Sequence, residues 1–411
     1  MIPGSETKKF IAGHLSGDTA ALRLKYAGRM ADAALDAALV QIDGRRRFGK
    51  KLARTLAAFP DFYFPSLLAG EQSTSDLLAE YHASLIGEGD SVVDLTSGLG
   101  IDVLHLAARA SRACAVERNP ALTEALRYNA AGLGVRNLTV VDADCRDFVR
   151  ECRERYDVAF IDPARRAADG SRVFSLADCE PDVCAMLPDL SRICRRLIIK
   201  ASPMLDVSAA CVALGLVPAE VVALGTPTEC RELDFIVDFD NQSEESLLKA
   251  VTIGGGEPFS FTRSGEREAP VPEFSDACGA GDMIFEPYPA VMKLAPFRLL
   301  AARYGLKAFG PGTHIYYKES PAAGFPGRAF VVEEVLPYAS KVIKRFARRW
   351  PVAEVAVRNF GTSAESLRGR LGIRDGRGGV RVYGITAFDS ARRLIVCRSE
   401  DSTQITSRAM S

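Results

Sequence analysis

The chain has 411 residues, with 52 Lys plus Arg against 52 Asp plus Glu, so its formal charge is zero. That length allows two or more domains and a sizeable core, and the balanced charge excludes a whole-chain field acting on polyanions or membranes. Ten cysteines form no C-x-x-C pair and only four histidines are present, which argues against a zinc site or a disulfide framework and for reduced cytosolic thiols. No charged, apolar leader opens the chain and no apolar run reaches bilayer length. A soluble, cytoplasmic protein with no membrane contact and no bound metal is therefore expected.

Residues 1–88 lack strand alternation and read as a helical region, with Ala20–Val40 rich in Ala and Leu at helical spacing. Gln41–Arg54 carries Arg45, Arg46, Arg47, Lys50, Lys51 and Arg54. A solvated helix face is the plainer reading of that run, and a phosphate-binding surface the sharper one. Pro60 and Pro65 bracket Phe62, Tyr63 and Phe64 in a loop. Glu71-Gln72-Ser73-Thr74-Ser75 then precedes an apolar helix, Leu77–Leu85, which Ser73 or Ser75 is placed to cap.

Residues 89–240 read as an α/β domain. The apolar pair Val92-Val93 ends at Asp94, and Thr96, Gly98 and Gly100 form a tight loop before the helical spacing of Val103, Leu104, Ala107 and Ala108. Strand, glycine loop and helix open a doubly wound sheet, whose ligand sits beyond the strand's carboxyl end. A second strand, Arg112–Val116, ends at Glu117, where a carboxylate can accept from two vicinal ribose hydroxyls. The third, Leu138–Val141, ends in Asp142-Ala143-Asp144-Cys145, where an acid can accept from an adenine amino group. The fourth, Val158–Ile161, ends in Asp162-Pro163-Ala164-Arg165-Arg166. A fifth strand covers Arg195–Lys200, and Val217–Leu224 with Glu232–Phe239 close the sheet. A nicotinamide dinucleotide is the rival ligand. However, Val103 occupies the third small position of that fingerprint, and the fingerprint gives no reason for D-P-A-R.

Residues 241–280 are polar and Gly-rich and read as a linker with one hairpin. Residues 281–327 read as a small α+β unit with a helix at Pro289–Tyr304 and a strand at Thr313–Tyr317. In residues 328–411, strands Ala329–Leu336 and Ala353–Arg358 flank a helix, Tyr338–Trp350, that carries Lys341, Lys344, Arg345, Arg348 and Arg349. Thr362 opens a further helix with Glu365 placed to complete a capping box. Val380–Thr386 and Arg392–Cys397 pair as a hairpin. From residue 301 onward there are 19 Lys plus Arg against 9 Asp plus Glu, so the end of the chain is basic.

The order D-x-x-x-G-x-G, then Glu after strand two, D-A-D after strand three and D-P-A-R after strand four resembles the class I S-adenosylmethionine (SAM) methyltransferases. The whole layout resembles a bacterial group in which that domain precedes a ferredoxin-like unit and a THUMP-like domain. E-Q-S-T-S, D-L-T-S-G-L-G-I-D, D-P-A-R-R, F-E-P-Y-P-A-V-M-K, F-P-G-R and A-E-V-A-V-R-N-F carry the likeness over nearly the full chain. The resemblance implies an α/β, Rossmann-like sheet of seven strands, with a helical region before it and small α+β domains after it. It implies SAM as cofactor, with Asp94, Thr96, Gly98 and Gly100 at the methionine end, Glu117 at the ribose, and Asp144 and Cys145 at the adenine. Thr96 stands where the family motif has its first glycine. The segment Gln72 to Ser75 is expected to fold over the methionine moiety, with Gln72 and Ser73 as its cofactor contacts.

An acid followed by Pro at the end of strand four positions an exocyclic amine, which makes Asp162 and Pro163 the expected catalytic pair. Arg165 and Arg166 would clamp a neighbouring phosphate or stand in solvent. THUMP domains bind tRNA, so an RNA partner, tRNA or rRNA, is expected by analogy, with Lys344 and Arg348 among the contacts. Uracil-C5 methyltransferases carry a similar D-P-P-R but need a cysteine nucleophile after strand five, where this chain has Ala201-Ser202-Pro203. The expected activity is thus methylation of a base nitrogen in RNA. A methyltransferase for protein or a small molecule is the alternative. A non-catalytic RNA-binding module is a third reading, against which Asp94, Gly98, Gly100, Glu117 and Asp162 stand intact.

Overall fold

The computed structural model describes residues 2–164, 175–241, 243–376 and 379–399. It divides into two units, residues to 221 with 232–245, and residues 222–231 with 246 onward.

The first unit begins with six helices, α1 (Ser5–Gly13), α2 (Thr19–Tyr26), α3 (Asp32–Phe48), α4 (Ala53–Ala58), α5 (Leu67–Gln72) and α6 (Asp76–Ser84). The helical spacing over Ala20–Val40 is shared between two helices, α2 and α3. Ala27 leaves helical geometry and Gly28 takes a φ of 69°, which a residue with a side chain adopts at a cost. Ser75, not Ser73, caps α6, its side chain accepting the Leu78 N–H. This region packs on the α/β domain: Phe48, Leu52, Phe62 and Phe64 share one buried cluster with Leu99, Leu104, Leu126 and the strand residues Ala113 and Ala115. Burying each large side chain there is worth about 1.5–3 kcal/mol.

Next come β1 (Ser91–Asp94), α7 (Ile101–Ala107), β2 (Arg112–Glu117), α8 (Pro120–Gly132), β3 (Leu138–Asp142), α9 (Cys145–Glu151), β4 (Tyr156–Ile161), α10 (Val183–Ile193), β5 (Cys194–Ala201), α11 (Val207–Leu214), β6 (Glu220–Gly225) and β7 (Cys230–Asp238). The segment 241–280 holds its expected hairpin, β8 (Leu247–Thr252) with β9 (Phe259–Phe261), and a short helix, α12 (Arg263–Glu268). The sheet order is β3-β2-β1-β4-β5-β7-β6-β8-β9. The seven expected strands are thus joined by two more, because β8 and β9 belong to the sheet and not to a free connection. β1 through β5 are parallel and β7 runs against β5. In register, Asp94 lies opposite Ala115 and Glu117 opposite Asp142, so the acidic strand ends collect along one edge.

The second unit is built on a sheet ordered β11-β12-β10-β13-β16-β15-β14. Its elements are β10 (Met283–Pro287), α13 (Pro289–Leu294), α14 (Phe297–Tyr304), β11 (Lys307–Ala308), β12 (Tyr316–Lys318), β13 (Gly327–Pro337), α15 (Ser340–Arg349), β14 (Glu354–Arg358), α16 (Ala364–Leu371), β15 (Val380–Thr386) and β16 (Arg392–Ser399). The helix expected over Pro289–Tyr304 is broken at Ala295, in left-handed geometry, before Pro296, which cannot continue a helix. α16 is capped by Ser363, which accepts the Ser366 N–H, so Thr362 lies outside it. The motif residues Glu286, Arg328 and Arg358 converge. The buried Glu286 carboxylate takes the guanidinium groups of Arg328, Arg358 and Arg381 and the Tyr383 hydroxyl at 2.7–3.1 Å.

Candidate active site

The site lies where β1, β2, β4 and β5 end. The β1 ladder stops at Asp94, whose carboxylate turns back to accept the Thr96 N–H at 3.1 Å. Asp94 is buried, and burial, with Asp102 and Asp162 nearby, pushes its carboxyl up to about 8. Thr96 serves the glycine motif through its hydroxyl, which accepts the Asp162 N–H at 2.7 Å and ties the β1 loop to the end of β4. Gly98 has a φ of 52°, and a Cβ built on it would approach nothing nearer than Thr96 O at 4.0 Å, so its face is open. Its N–H donates to Glu117 Oε2 at 2.9 Å, while Glu117 Oε1 accepts the Asn119 N–H at 2.8 Å. Both carboxylate oxygens keep further lone pairs for a ligand. Gly100 differs. It caps α7 at a φ of 90°, and a Cβ there would meet Leu126 Cδ1 at 2.2 Å. The left-handed backbone and the packing of Leu126 each require a glycine at that position.

Asp144 caps α9 and is gripped by Arg146, accepting from its backbone N–H, Nε and Nη2 at 2.8–2.9 Å. These bonds hold its carboxyl at about 2. Cys145 beside it is buried, and burial pushes its thiol up to about 11. Gln72 is exposed at the end of α5, and the Ser73 hydroxyl turns back to Gly70 O at 2.9 Å. Among the described residues, neither bonds to the strand ends. The residue of that segment that does is Thr74, two positions beyond Gln72. Arg165 and Arg166 lie outside the described residues. Lys344 and Arg348 lie on α15, in the second unit, exposed on the side opposite its buried Phe346.

Asp162 and Pro163 follow β4. Asp162 Oδ2 meets Lys200 Nζ at 2.8 Å, and its side chain keeps 30% of its exposure. Lys200, from the end of β5, is buried and also donates to Thr74 Oγ1 at 2.7 Å. Burial opposes its charge, but Asp162, Asp102 and Glu232 raise its pKa. Thr74 passes the chain on to Asp102 Oδ2 at 2.5 Å, and Asp102 Oδ1 takes His82 Nδ1 at 2.7 Å. His82 is fully buried and its Nε2 lies 2.7 Å from Glu232 Oε1. Burial would raise the Asp102 carboxyl, but Lys200 and His82 outweigh it and hold it below the carboxylate range. Sequence reasoning missed Lys200, Asp102, His82 and Glu232, while Thr74 lies inside the Gln72-to-Ser75 segment it had singled out. One signal was available: Lys200 is the lone charge closing the apolar run L-I-I, and Glu232 and Asp234 alternate with Leu233 and Phe235 in the buried part of their strand.

Residues 284–326 match a ferredoxin-like domain model and residues 327–399 a THUMP domain-like model. A solved structure described as a methyltransferase candidate from Porphyromonas gingivalis W83 is 29% identical, with 97% of this chain and 100% of that chain covered and a TM-score of 0.87. Among curated proteins, an uncharacterised RNA methyltransferase of Mycoplasma mobile, MMOB5020, is 26% identical over 98 residues, 24% of this chain and 27% of that protein. The 23S rRNA (uracil(1939)-C(5))-methyltransferase RlmD of Klebsiella pneumoniae is 38% identical over 84 residues, 20% of this chain and 19% of that protein. The chain thus matches only about a quarter and a fifth of the length of these two curated relatives. From end to end the chain is built like the Porphyromonas gingivalis methyltransferase candidate, a methyltransferase-like α/β sheet followed by a ferredoxin-like and a THUMP-like domain.

Proposed function

We propose that the chain is a SAM-dependent methyltransferase that modifies a base nitrogen of RNA, tRNA or rRNA. The observation that carries this reading is the interlocked edge of the sheet: Asp162 N–H on Thr96, Gly98 N–H on Glu117, and an Asp162 carboxylate held by Lys200 yet still partly open. The open face of Gly98 and the Glu117 carboxylate suit the methionine and ribose parts of SAM. This reading assigns the adenine to Asp144, which would share its oxygens with Arg146. When bound, SAM supplies an electrophilic methyl group already activated for displacement. The protein's part is alignment. With Oδ2 fixed by Lys200, Asp162 Oδ1 accepts one N–H of the target amine, and the adjoining backbone carbonyl accepts the other, so the nitrogen lone pair faces the methyl.

Attack at a base carbon needs a thiolate instead. The end of β5 and the residues after it read Ala201-Ser202-Pro203. Cys145, the cysteine at the strand-three end, is buried with its thiol pushed up, the opposite of an activated nucleophile. A nitrogen acceptor is therefore favoured over the C5 chemistry named for the Klebsiella relative.

Incubation with methyl-labelled SAM and either bulk RNA or protein extract tests the proposal. Label should enter RNA, and nucleoside mass spectrometry should place it on a base nitrogen. Label confined to protein, or a C5-methyl pyrimidine, overturns the reading. Asp162→Ala should lower turnover while calorimetric SAM affinity holds; parental turnover in that variant would make Asp162 a turn residue only.

A further inference from the structure

At the buried end of the chain that runs from Lys200 through Thr74 and Asp102 lies a cluster to which the proposed methylation assigns no role. His82 Nε2 faces Glu232 Oε1 at 2.7 Å and Asp234 Oδ2 at 3.8 Å. All three residues are buried, and each offers one donor atom within 4.8 Å of the others. Glu232 and Asp234 stand two apart on β7, so they point to the same face of the sheet, while α6 brings His82 over that face. Asp102 holds the opposite ring nitrogen, Nδ1, at 2.7 Å. That contact fixes the tautomer that turns the Nε2 lone pair towards the two carboxylates. Asp234 supplies the second, independent observation. It is 0% exposed, yet neither of its oxygens has a hydrogen-bond partner among the described residues. A buried carboxylate with no partner is costly and calls for a missing one.

We propose that His82, Glu232 and Asp234 form a structural site for a first-row divalent cation of the zinc class, with Asp102 orienting the histidine. With metal–ligand bonds of about 2.0–2.2 Å, the edge of a tetrahedral site is roughly 3.4 Å, and the two distances from Nε2 bracket it. An imidazole with carboxylates suits zinc and related ions, not calcium or magnesium. Asp234, both oxygens free of hydrogen bonds, can close the coordination by binding through the pair. A dication also offsets the negative charge gathered at Asp102, Glu232 and Asp234. The Phe160 ring, 5.2 Å from the His82 ring, bounds the site with apolar surface. The spacing rules that argued against zinc did not reveal it, because its ligands come from α6 and from β7, about 150 residues later in the chain.

The test uses the full chain, purified without chelator. Mass-spectrometric metal analysis should find about one equivalent of zinc-class metal per chain. Stripping with EDTA should lower the melting temperature, and zinc chloride should restore it. Substituting cobalt(II) should give a visible band of a nitrogen–oxygen ligand set, without the sulfur charge-transfer band that binding to any of the ten cysteines would produce. Asp234→Asn should weaken zinc binding at least tenfold while far-UV circular dichroism stays parental. If that variant fails to fold, the cobalt spectrum and the EDTA response of the parent decide alone. A metal-free parent whose melting temperature ignores zinc, a sulfur-type cobalt spectrum, or zinc affinity unchanged in a folded Asp234→Asn protein each overturns the site and leaves a proton-linked ion network in its place.

Discussion

Asp94 has a titration that can be tested directly. An unfolded Asp loses its proton near 3.8, whereas the folded carboxyl keeps it to about 8. Between those values the unfolded chain binds fewer protons, so Asp94 makes stability fall as pH rises from about 4 to about 8 and then level off. Urea midpoints at pH 5.5 and 8.5 should show Asp94→Asn losing less stability across that interval than the parent. An identical loss would mean that the carboxyl ionises normally in the folded protein. Glu117 bears on both the loop and the ligand. Glu117→Ala removes the acceptor of two backbone N–H groups, each charge-assisted bond worth about 1.5–3 kcal/mol, and takes away the proposed ribose acceptor. Calorimetry should find weaker SAM binding and a melt should find a lower midpoint, with Glu117→Gln intermediate in both. At this scale the sequence was readable where a residue type sits at a strand end, as with Asp94, Glu117 and Asp162. It was not readable for Thr96, Gly100 or Lys200, whose roles depend on partners 66, 26 and 38 residues away at the far ends of other elements.

Among elements, the α3 basic run shows how charge counting misleads. Arg45 folds inward and donates to the carbonyls of Pro60, Phe62 and Gln41 at 2.7–3.2 Å. Lys51 reaches the carbonyls of Gly70 and Glu71, while Arg46 and Arg54 pair with Asp43 and Glu80. Arg45 and Lys51 thus hold loops in place, while Arg46 and Arg54 pair with acids of the helices. The same loop is held by side-chain amides. Gln41 pairs with both backbone groups of Phe64, and Asn129 with both of Tyr63, in the manner of an extra strand. Arg45→Ala should therefore cost about 2 kcal/mol or more in a denaturant titration, and Arg45→Lys should restore little, since an ammonium cannot fork to several carbonyls at once. RNA affinity should not move in either variant. Most helices and strands with clear periodicity were foreseen within a residue or two, although β6 and β12 each begin three residues later than expected. The breaks at Gly28 and Pro296 lay in plain view as a glycine and a proline, but alanine-rich spacing on both sides concealed them.

Over the whole molecule, charge separates by unit. On α15 the apolar side chains Val342, Ile343, Phe346 and Ala347 pack inward, leaving Lys341, Lys344, Arg345 and Arg348 exposed. If that face meets RNA, a Lys344→Glu, Arg348→Glu double variant should bind RNA more weakly. Its log–log salt slope should be shallower by roughly 0.7–0.9 for each phosphate no longer neutralised, with SAM affinity unchanged. Filter binding across a salt series checks it, and matching slopes would put the RNA surface elsewhere. The order of domains was legible because each part carries its own local motif. That Glu286, Arg328 and Arg358 meet was not, since nothing local couples a strand to another more than 70 residues on. Their meeting has a consequence for modularity. The boundary between the two family models, at residues 326 and 327, runs beside the β10–β13 ladder, where Glu286 faces Arg328 and Pro287 faces Gly327. A cut there severs a hydrogen-bonded sheet and strips one carboxylate from three guanidinium groups. Two names therefore describe one inheritable piece, and neither half can be swapped between proteins, grafted or expressed without carrying the other along.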